Sequence, residues 1–292
     1  MVPDATALRG RLLDAHALIR AEDPARYPYA PLGPPLAPRE REQGMTTREL
    51  LQALDAQGVE RAILVQRARL YGYDNRCVCD SAAAHRQRLQ FICHVDASDT
   101  NSGGRAQDWL GRGAVGVRFM EPVRGAPLSW LDGIGARQVW RVACEAGVPI
   151  SVHFFPWNRA AGLEALSALR GALPPRALVL DSVAGSAVDG GPPDFGIDAP
   201  LRALMDLPGT YLKFTAMTLA RLAGAKLAPS ELVGRLVQLF GAQRLLWGSD
   251  VLAPGQSYES LVAGLLEASA GLAPADREQL LHGTAATLYP LH

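Results

Sequence analysis

The sequence predicts an α/β fold of one kind, a single (β/α)8 barrel, and three observations predict it. Eight short apolar runs alternate with longer amphipathic stretches. The runs are apolar almost throughout, as strands are when both faces of a parallel sheet are buried. Eight strand–helix units also fit within 292 residues, which is the arithmetic of a closed barrel with right-handed crossovers. At 48% hydrophobic residues the chain can bury a core of that size, so residues 1–292 read as one domain.

The expected strands, in order, are Leu12–His16, Ala62–Gln66, Gln90–Val95, Gly116–Phe119, Pro149–Phe154, Ala177–Asp181, Thr210–Phe214 and Arg244–Trp247. Helical spacing appears over Thr47–Gln57, Arg105–Arg112, Gly135–Glu145, Gly162–Leu169, Ala199–Leu207 and Pro229–Phe240, then over Ser257–Ala270 and Ala275–Leu281. Thr46 and Thr47 with Glu49 behind them resemble an N-cap. Gly58, Gly147 and Gly171 are plausible helix stops. Two irregular stretches break the rhythm at about 20–44 and 183–200, with Asp23–Gln43 and Val183–Pro200 rich in Pro or Gly. Each follows a strand and so belongs to the face where barrels keep their sites, where long loops serve as lids or walls.

Charge and composition exclude several classes. Lys+Arg 29 balances Asp+Glu 29, which gives no global attraction to nucleic acid or to an anionic membrane. No apolar run reaches the ~18 residues of a membrane span, and Met1–Arg11 lacks the apolar stretch of a signal peptide. The four cysteines, Cys77, Cys79, Cys93 and Cys144, have neither zinc-ribbon spacing nor the density of a disulfide framework. The expectation is a reduced, cytoplasmic protein, with a homodimer compatible with it.

The residues that end barrel strands point into the site. Read in order they are Asp14 and His16, Gln66, His94 and Asp96, Arg118, His153, Asp181 and Ser182, Lys213, and Ser249 with Asp250. Tyr71 follows the second strand, and Trp157 and Asn158 follow the fifth. One buried polar residue is usually a satisfied hydrogen bonder; a ring of them points to chemistry.

The set Asp14-Ala15-His16, Arg26-Tyr27-Pro28-Tyr29, Gln66 with Tyr71-Gly72-Tyr73-Asp74-Asn75, Gly116-Val117-Arg118-Phe119 and Trp247-Gly248-Ser249-Asp250 resembles the amidohydrolase-related family of the amidohydrolase superfamily. Within it the resemblance is to 2-pyrone-4,6-dicarboxylate lactonase-like hydrolases. The tail Gly283–Tyr289 resembles that family's last segment. Members usually open with Asp-x-His-x-His, but Leu18 stands where the second histidine would be. Many carry a histidine after the sixth-strand aspartate, and here Asp181 is followed by Ser182. His153 and Asp250 match the family pattern.

These departures have a physical meaning. Residues two apart on a strand share a face, so a His-x-His pair can hold one metal. Leu18 removes one such donor. His16, His153 and Asp250 remain, and three protein ligands suffice for catalytic zinc, so a single Zn or Mn stays open as the alternative to no cofactor. The resemblance to the lactonase branch favours the metal-free reading. In it Asp250 is the general base, oriented by His16 or His153. Those histidines, or Lys213, stabilise an oxyanion. Arg118 grips a substrate carboxylate, and Tyr71, Trp157, Asn158 and Ser182 shape the pocket. Plainer roles compete: Asp250 as a loop cap, His16 and His153 as buried structural histidines, Arg118 paired with Asp96 or Glu121, and Lys213 as a barrel lysine. The expected function is a hydrolase that opens a lactone or a related carboxylic ester. A lyase (decarboxylase, dehydratase or cyclase) on an oxygenated organic acid is the alternative, and a non-catalytic ligand-binding barrel the second. The expected partner is a small organic acid, lactone or ester.

Overall fold

Eight of the apolar runs become parallel strands: β1 (Leu12–Ala17), β2 (Val59–Val65), β3 (Leu89–His94), β4 (Ala114–Met120), β5 (Ile150–His153), β6 (Leu178–Asp181), β7 (Thr210–Thr215) and β8 (Leu245–Gly248). They form one sheet in the order β1 to β8 in a computed structural model that describes residues 12–172, 176–250 and 256–291. The opening Met1–Arg11, read above for a signal peptide, and His292 lie outside the described residues. No helix among the described residues is long and apolar enough to cross a membrane.

β8 returns to β1 and nearly closes the barrel. The Asp250 amide donates to the His16 carbonyl at 2.8 Å. Asp14 Oδ1 accepts from the amides of Ser249, at 2.9 Å, and of His16, at 3.0 Å, while Oδ2 accepts from the Tyr258 hydroxyl at 3.1 Å. Asp14 is thus a staple across the seam. The strands approach so closely there that a Cβ added at Gly248 would lie 2.2 Å from the Cβ of His16, which explains the glycine between Trp247 and Ser249.

Period-two alternation sorts the strand residues. Leu178, Leu180, Leu212, Phe214 and Leu245 pack outward with the surrounding helices. Leu13, Ile63, Ile92, Val179 and Leu246 form an inner cluster with Tyr289. Above that apolar layer the same inward positions become Arg118, His153, Asp181 and Lys213. The C-terminal segment covers the opposite end: Arg61 donates to the Tyr289 carbonyl at 2.8 Å, and the Gln90 amide to that of Pro290 at 2.8 Å.

The predicted N-cap at Thr46 is a reciprocal capping box with Glu49, and Gly58 ends that helix at φ 65°. Gly147 is left-handed too, at φ 72°, but Gly171 lies inside a helix, Arg159–Ala172. Two further helices had no clear spacing signal, Arg76–Ala84 between β2 and β3 and Ala216–Gly224 after β7. The irregular stretch before Thr46 holds one short helix, Pro38–Glu42.

Candidate active site

At the C-terminal rim of the barrel a cavity of about 210 Å3 is bordered by His16, Arg118, His153, Ser182 and Asp250. Beneath it lies a buried ion triad. Arg118 Nε donates to Asp181 Oδ2 at 2.9 Å, and Lys213 Nζ is 3.0 Å from Asp181 Oδ1. Both Lys213 and Asp181 are fully buried. Burial alone would raise the Asp181 carboxyl, but Lys213 and Arg118 outweigh it and hold the group below the usual carboxylate range. Arg118 therefore pairs with neither Asp96 nor Glu121. Glu121 instead accepts from Trp157 Nε1 at 2.6 Å, Asn158 Nδ2 at 3.0 Å and the Gly125 amide at 2.8 Å.

Asp250 follows β8 in left-handed backbone, φ 45°, a conformation that Asp and Asn tolerate better than most residues. Its Oδ1 lies 3.9 Å from His16 Nε2, beyond direct hydrogen-bond distance. Burial pushes its carboxyl up to about 6, with Arg118 opposing. Burial, helped by Lys213, drives His16 well below its ordinary value. Burial and Arg118 bring His153 to about 3. Near neutral pH both imidazoles are uncharged, so each has one N–H to donate.

Ser182 opens an unusual turn after β6. Ser182, Val183, Ala184 and Gly185 all adopt left-handed φ, at 51°, 53°, 52° and 68°. Such a run is costly without glycine, and backbone strain of this kind gathers at functional sites. Arg159 braces it by donating to the Ala184 carbonyl at 3.0 Å and to the Ser186 hydroxyl at 3.2 Å, while pairing with Asp198 at 2.8 Å.

Of the residues expected in the site, His16, Arg118, His153, Ser182 and Asp250 border the cavity, and Lys213 sits behind it. Tyr71 lies away from it: its hydroxyl accepts from the Ala21 amide at 2.7 Å and fixes the loop after β1. Trp157 and Asn158 act at one remove. The Trp157 ring stacks on Phe155 at 4.5 Å, Asn158 Oδ1 accepts from the Phe155 amide at 2.9 Å, and it is Phe155 that lines the cavity. Arg67 was missed altogether. It borders the cavity and donates to the carbonyls of Gln43, at 2.6 Å, and Glu40, at 3.1 Å, which holds the Pro38–Glu42 helix over the mouth. Its only sequence signal is its place one residue beyond the expected second strand, Ala62–Gln66, and two beyond β2 as it forms. Leu18, Leu36, Met120 and Met217 supply apolar wall.

Several buried polar atoms around the cavity find no hydrogen-bond partner among the described residues: His16 Nδ1, His153 Nδ1, Gln66 Oε1, Arg67 Nε and Ser182 Oγ. Unpaired buried polar atoms are rare, and a cluster of them beside an opening marks a place where a ligand binds. They do not fit a resident divalent metal. No three His, Cys, Asp or Glu among the described residues converge as ligands would. A metal-bound imidazole ordinarily donates its other N–H to an acceptor, whereas Nδ1 of His16 and of His153 has no partner among the described residues. Two cations, Lys213 and Arg118, also occupy the neighbourhood.

The amidohydrolase family model matches residues 13–291. No curated protein matches the sequence. Solved structures do. A probable 2-pyrone-4,6-dicarboxylic acid hydrolase of Acinetobacter baumannii with citric acid bound superposes with a TM-score of 0.74 at 17% identity, covering 96% of this chain and 99% of that one. An amidohydrolase of Burkholderia multivorans with bound zinc gives 0.73 at 20% identity over 97% and 100%. The 5-carboxyvanillate decarboxylase of Novosphingobium aromaticivorans, complexed with manganese and 4-hydroxy-3-methoxy-5-nitrobenzoic acid, gives 0.66 at 12% identity over 96% and 96%.

Proposed function

The chain belongs to the amidohydrolase family, and on that premise we propose that it is a metal-independent hydrolase that opens a lactone or a related carboxylic ester. The observation that carries the reading is Asp250, a buried carboxylate facing the cavity whose proton affinity sits near 6. That is close to the ideal for a general base at neutral pH. Asp250 takes a proton from water as the water oxygen attacks the carbonyl carbon. The neutral imidazoles of His16 and His153 donate to the developing oxyanion, as an uncharged imidazole can when its proton affinity is depressed. As the tetrahedral intermediate collapses, the carbon–oxygen bond to the alkoxide breaks and Asp250 returns its proton there. Arg118 seats a substrate carboxylate, and Ser182, whose hydroxyl has no partner among the described residues, also lies at the cavity wall.

The first test is metal content after purification without added metal, by inductively coupled plasma mass spectrometry, followed by a lactone and ester screen. Under a tenth of an equivalent of zinc or manganese, with hydrolysis unaffected by a chelator, is the expected result. A full equivalent whose removal abolishes activity would sink the metal-free mechanism. Carbon dioxide release from an organic acid, with no lactone opened, would replace hydrolysis by the lyase reading.

A further inference from the structure

The cavity lining combines charged and apolar side chains. Arg67, Arg69 and Arg118 border it, with Lys213 behind Arg118, and the carboxylates among them are Glu40, Asp181 and Asp250. Glu40 is 3.7 Å from Arg69, and Asp181 is shared by Lys213 and Arg118. With both histidines neutral, four cations face three carboxylates, so the described residues leave one positive charge uncompensated. One substrate carboxylate balances it. A second would find no cation left to pair beside Arg118 and Asp181, where charge is least solvated, and an unpaired charge there is unfavourable.

Apolar side chains border the cavity as well: Met120 at the end of β4 and Phe155 just beyond the neighbouring strand β5, and Leu18, Leu36 and Met217 elsewhere around the rim. Phe155 is held rigidly, edge-on to His153 at 4.7 Å and stacked on Trp157 at 4.5 Å with an interplanar angle of 5°. Trp157 in turn is fixed by Glu121 and covered by Arg124 at 4.7 Å. A wall that is already ordered loses little freedom when a flat ligand lies on it. Size narrows the class further. The cavity measures about 210 Å3, and an apolar cavity of about 150 Å3 is enough to take benzene. There is room within it for one ring and a substituent.

Resting on the hydrolase reading above, we propose that the substrate is a single-ring or comparably small compound with one carboxylate and one apolar face. The carboxylate sits on Arg118 and Arg67, and the apolar face lies on Phe155 and Met120.

The test is binding rather than turnover, so it is independent of which reaction occurs. Isothermal titration at pH 7.5 and fixed salt compares benzoate with phthalate, citrate and benzyl alcohol. Benzoate is expected to bind, and the other three at least about tenfold more weakly, since phthalate and citrate bring surplus charge and benzyl alcohol brings none. Arg67→Gln also frees the carbonyls of Gln43 and Glu40, so the ratio is read: it is expected to weaken benzoate about tenfold more than it weakens benzyl alcohol. Phe155→Ala, which leaves the cations in place, is expected to weaken benzoate about fivefold and leave acetate unchanged. Phthalate or citrate binding as tightly as benzoate overturns the proposal, as does a folded protein that ignores benzoate. Lactone hydrolysis by a protein that prefers dicarboxylates would overturn this class alone. A benzoate preference without hydrolysis of any lactone or ester would overturn the reaction alone.

Discussion

Replacing Asp250 by Asn should stabilise the fold while abolishing activity. Asp250 is 8% exposed, and burial pushes its carboxyl from 3.8 to about 6. The raised value means the folded protein holds the proton more tightly than the unfolded chain. Stability is therefore lost as pH rises through the window from about 4 to about 6. That difference of roughly two units corresponds to about 3 kcal/mol at neutral pH. Asn carries no charge to desolvate, is nearly isosteric, and tolerates the φ of 45° found here. Urea denaturation at pH 7.5 should show Asp250→Asn more stable than the parent by about 3 kcal/mol, and at pH 5 by about half of that. The buried histidines His16, His94 and His153, also held below their ordinary value, destabilise both proteins as pH falls and cancel in the difference. Lactone hydrolysis by the variant should drop by about two orders of magnitude or more. A variant no more stable than its parent, or a difference that ignores pH, would show that Asp250 is not a buried charge kept at a cost.

Three further outcomes follow from the same geometry. The parent's kcat/KM should fall as pH drops through about 6, roughly tenfold per unit below it; a flat profile from pH 5 to 8 would remove Asp250 as the base. Gly248→Ala should lower the melting temperature, because the new methyl would lie 2.2 Å from the Cβ of His16, and overpacking of this kind costs about 1–3 kcal/mol; unchanged melting would mean that the β8–β1 seam is looser than described. Lys213→Met should cost about 3–5 kcal/mol by leaving Asp181 with a single cationic partner in a fully buried setting; chemical denaturation of the variant beside Lys213→Met/Asp181→Asn, in which part of that loss returns, checks it.

The barrel was legible because its strands are short apolar runs separated by helical spacing, and that rhythm survives without knowledge of any contact. The missed helices show where the signal fails. Arg76–Ala84 buries Cys77, Val78, Cys79 and Ala82, small residues that make a weak stripe. Ala216–Gly224 buries only Ala216, Thr218 and Leu222 and runs close to the next helix, so no gap marks it. Gly171 misled as a helix stop because nothing lies within 4 Å of where its Cβ would be; exposed at a helix end, it is tolerated rather than required. Period two was enough to find Arg118, His153, Asp181 and Lys213 at inward positions. It could not show that Arg118 and Asp181, 63 residues apart, would pair, since that depends on barrel closure. Arg67 and Leu36 reach the cavity from turns and loops, where no periodicity applies, and Met217 from the first turn of the unpredicted helix Ala216–Gly224. Tyr71 and Trp157 looked like pocket residues, being aromatic and polar near strand ends; the structure uses the hydroxyl of one and the ring of the other to hold loop and wall.

The ion triad bears on why Asp250 can serve as a base at all. A carboxylate paired directly with a buried guanidinium or ammonium is held ionised far below neutrality, where it accepts protons poorly. Arg118 and Lys213 both lie near enough to Asp250 to favour its charged form, yet burial still leaves the group at about 6. The reason is visible one layer down. Asp181 engages both cations at 2.9 and 3.0 Å, and its negative charge itself raises Asp250. One aspartate is sacrificed to the cations so that the other stays only weakly neutralised. It follows that Asp181→Asn should lower the kinetic midpoint of the pH profile below about 6, by releasing Arg118 and Lys213 toward Asp250, and should slow hydrolysis above it by weakening the base. An unshifted midpoint would mean that Asp181 serves only to neutralise a buried lysine, and that the proton affinity of Asp250 is set by burial alone.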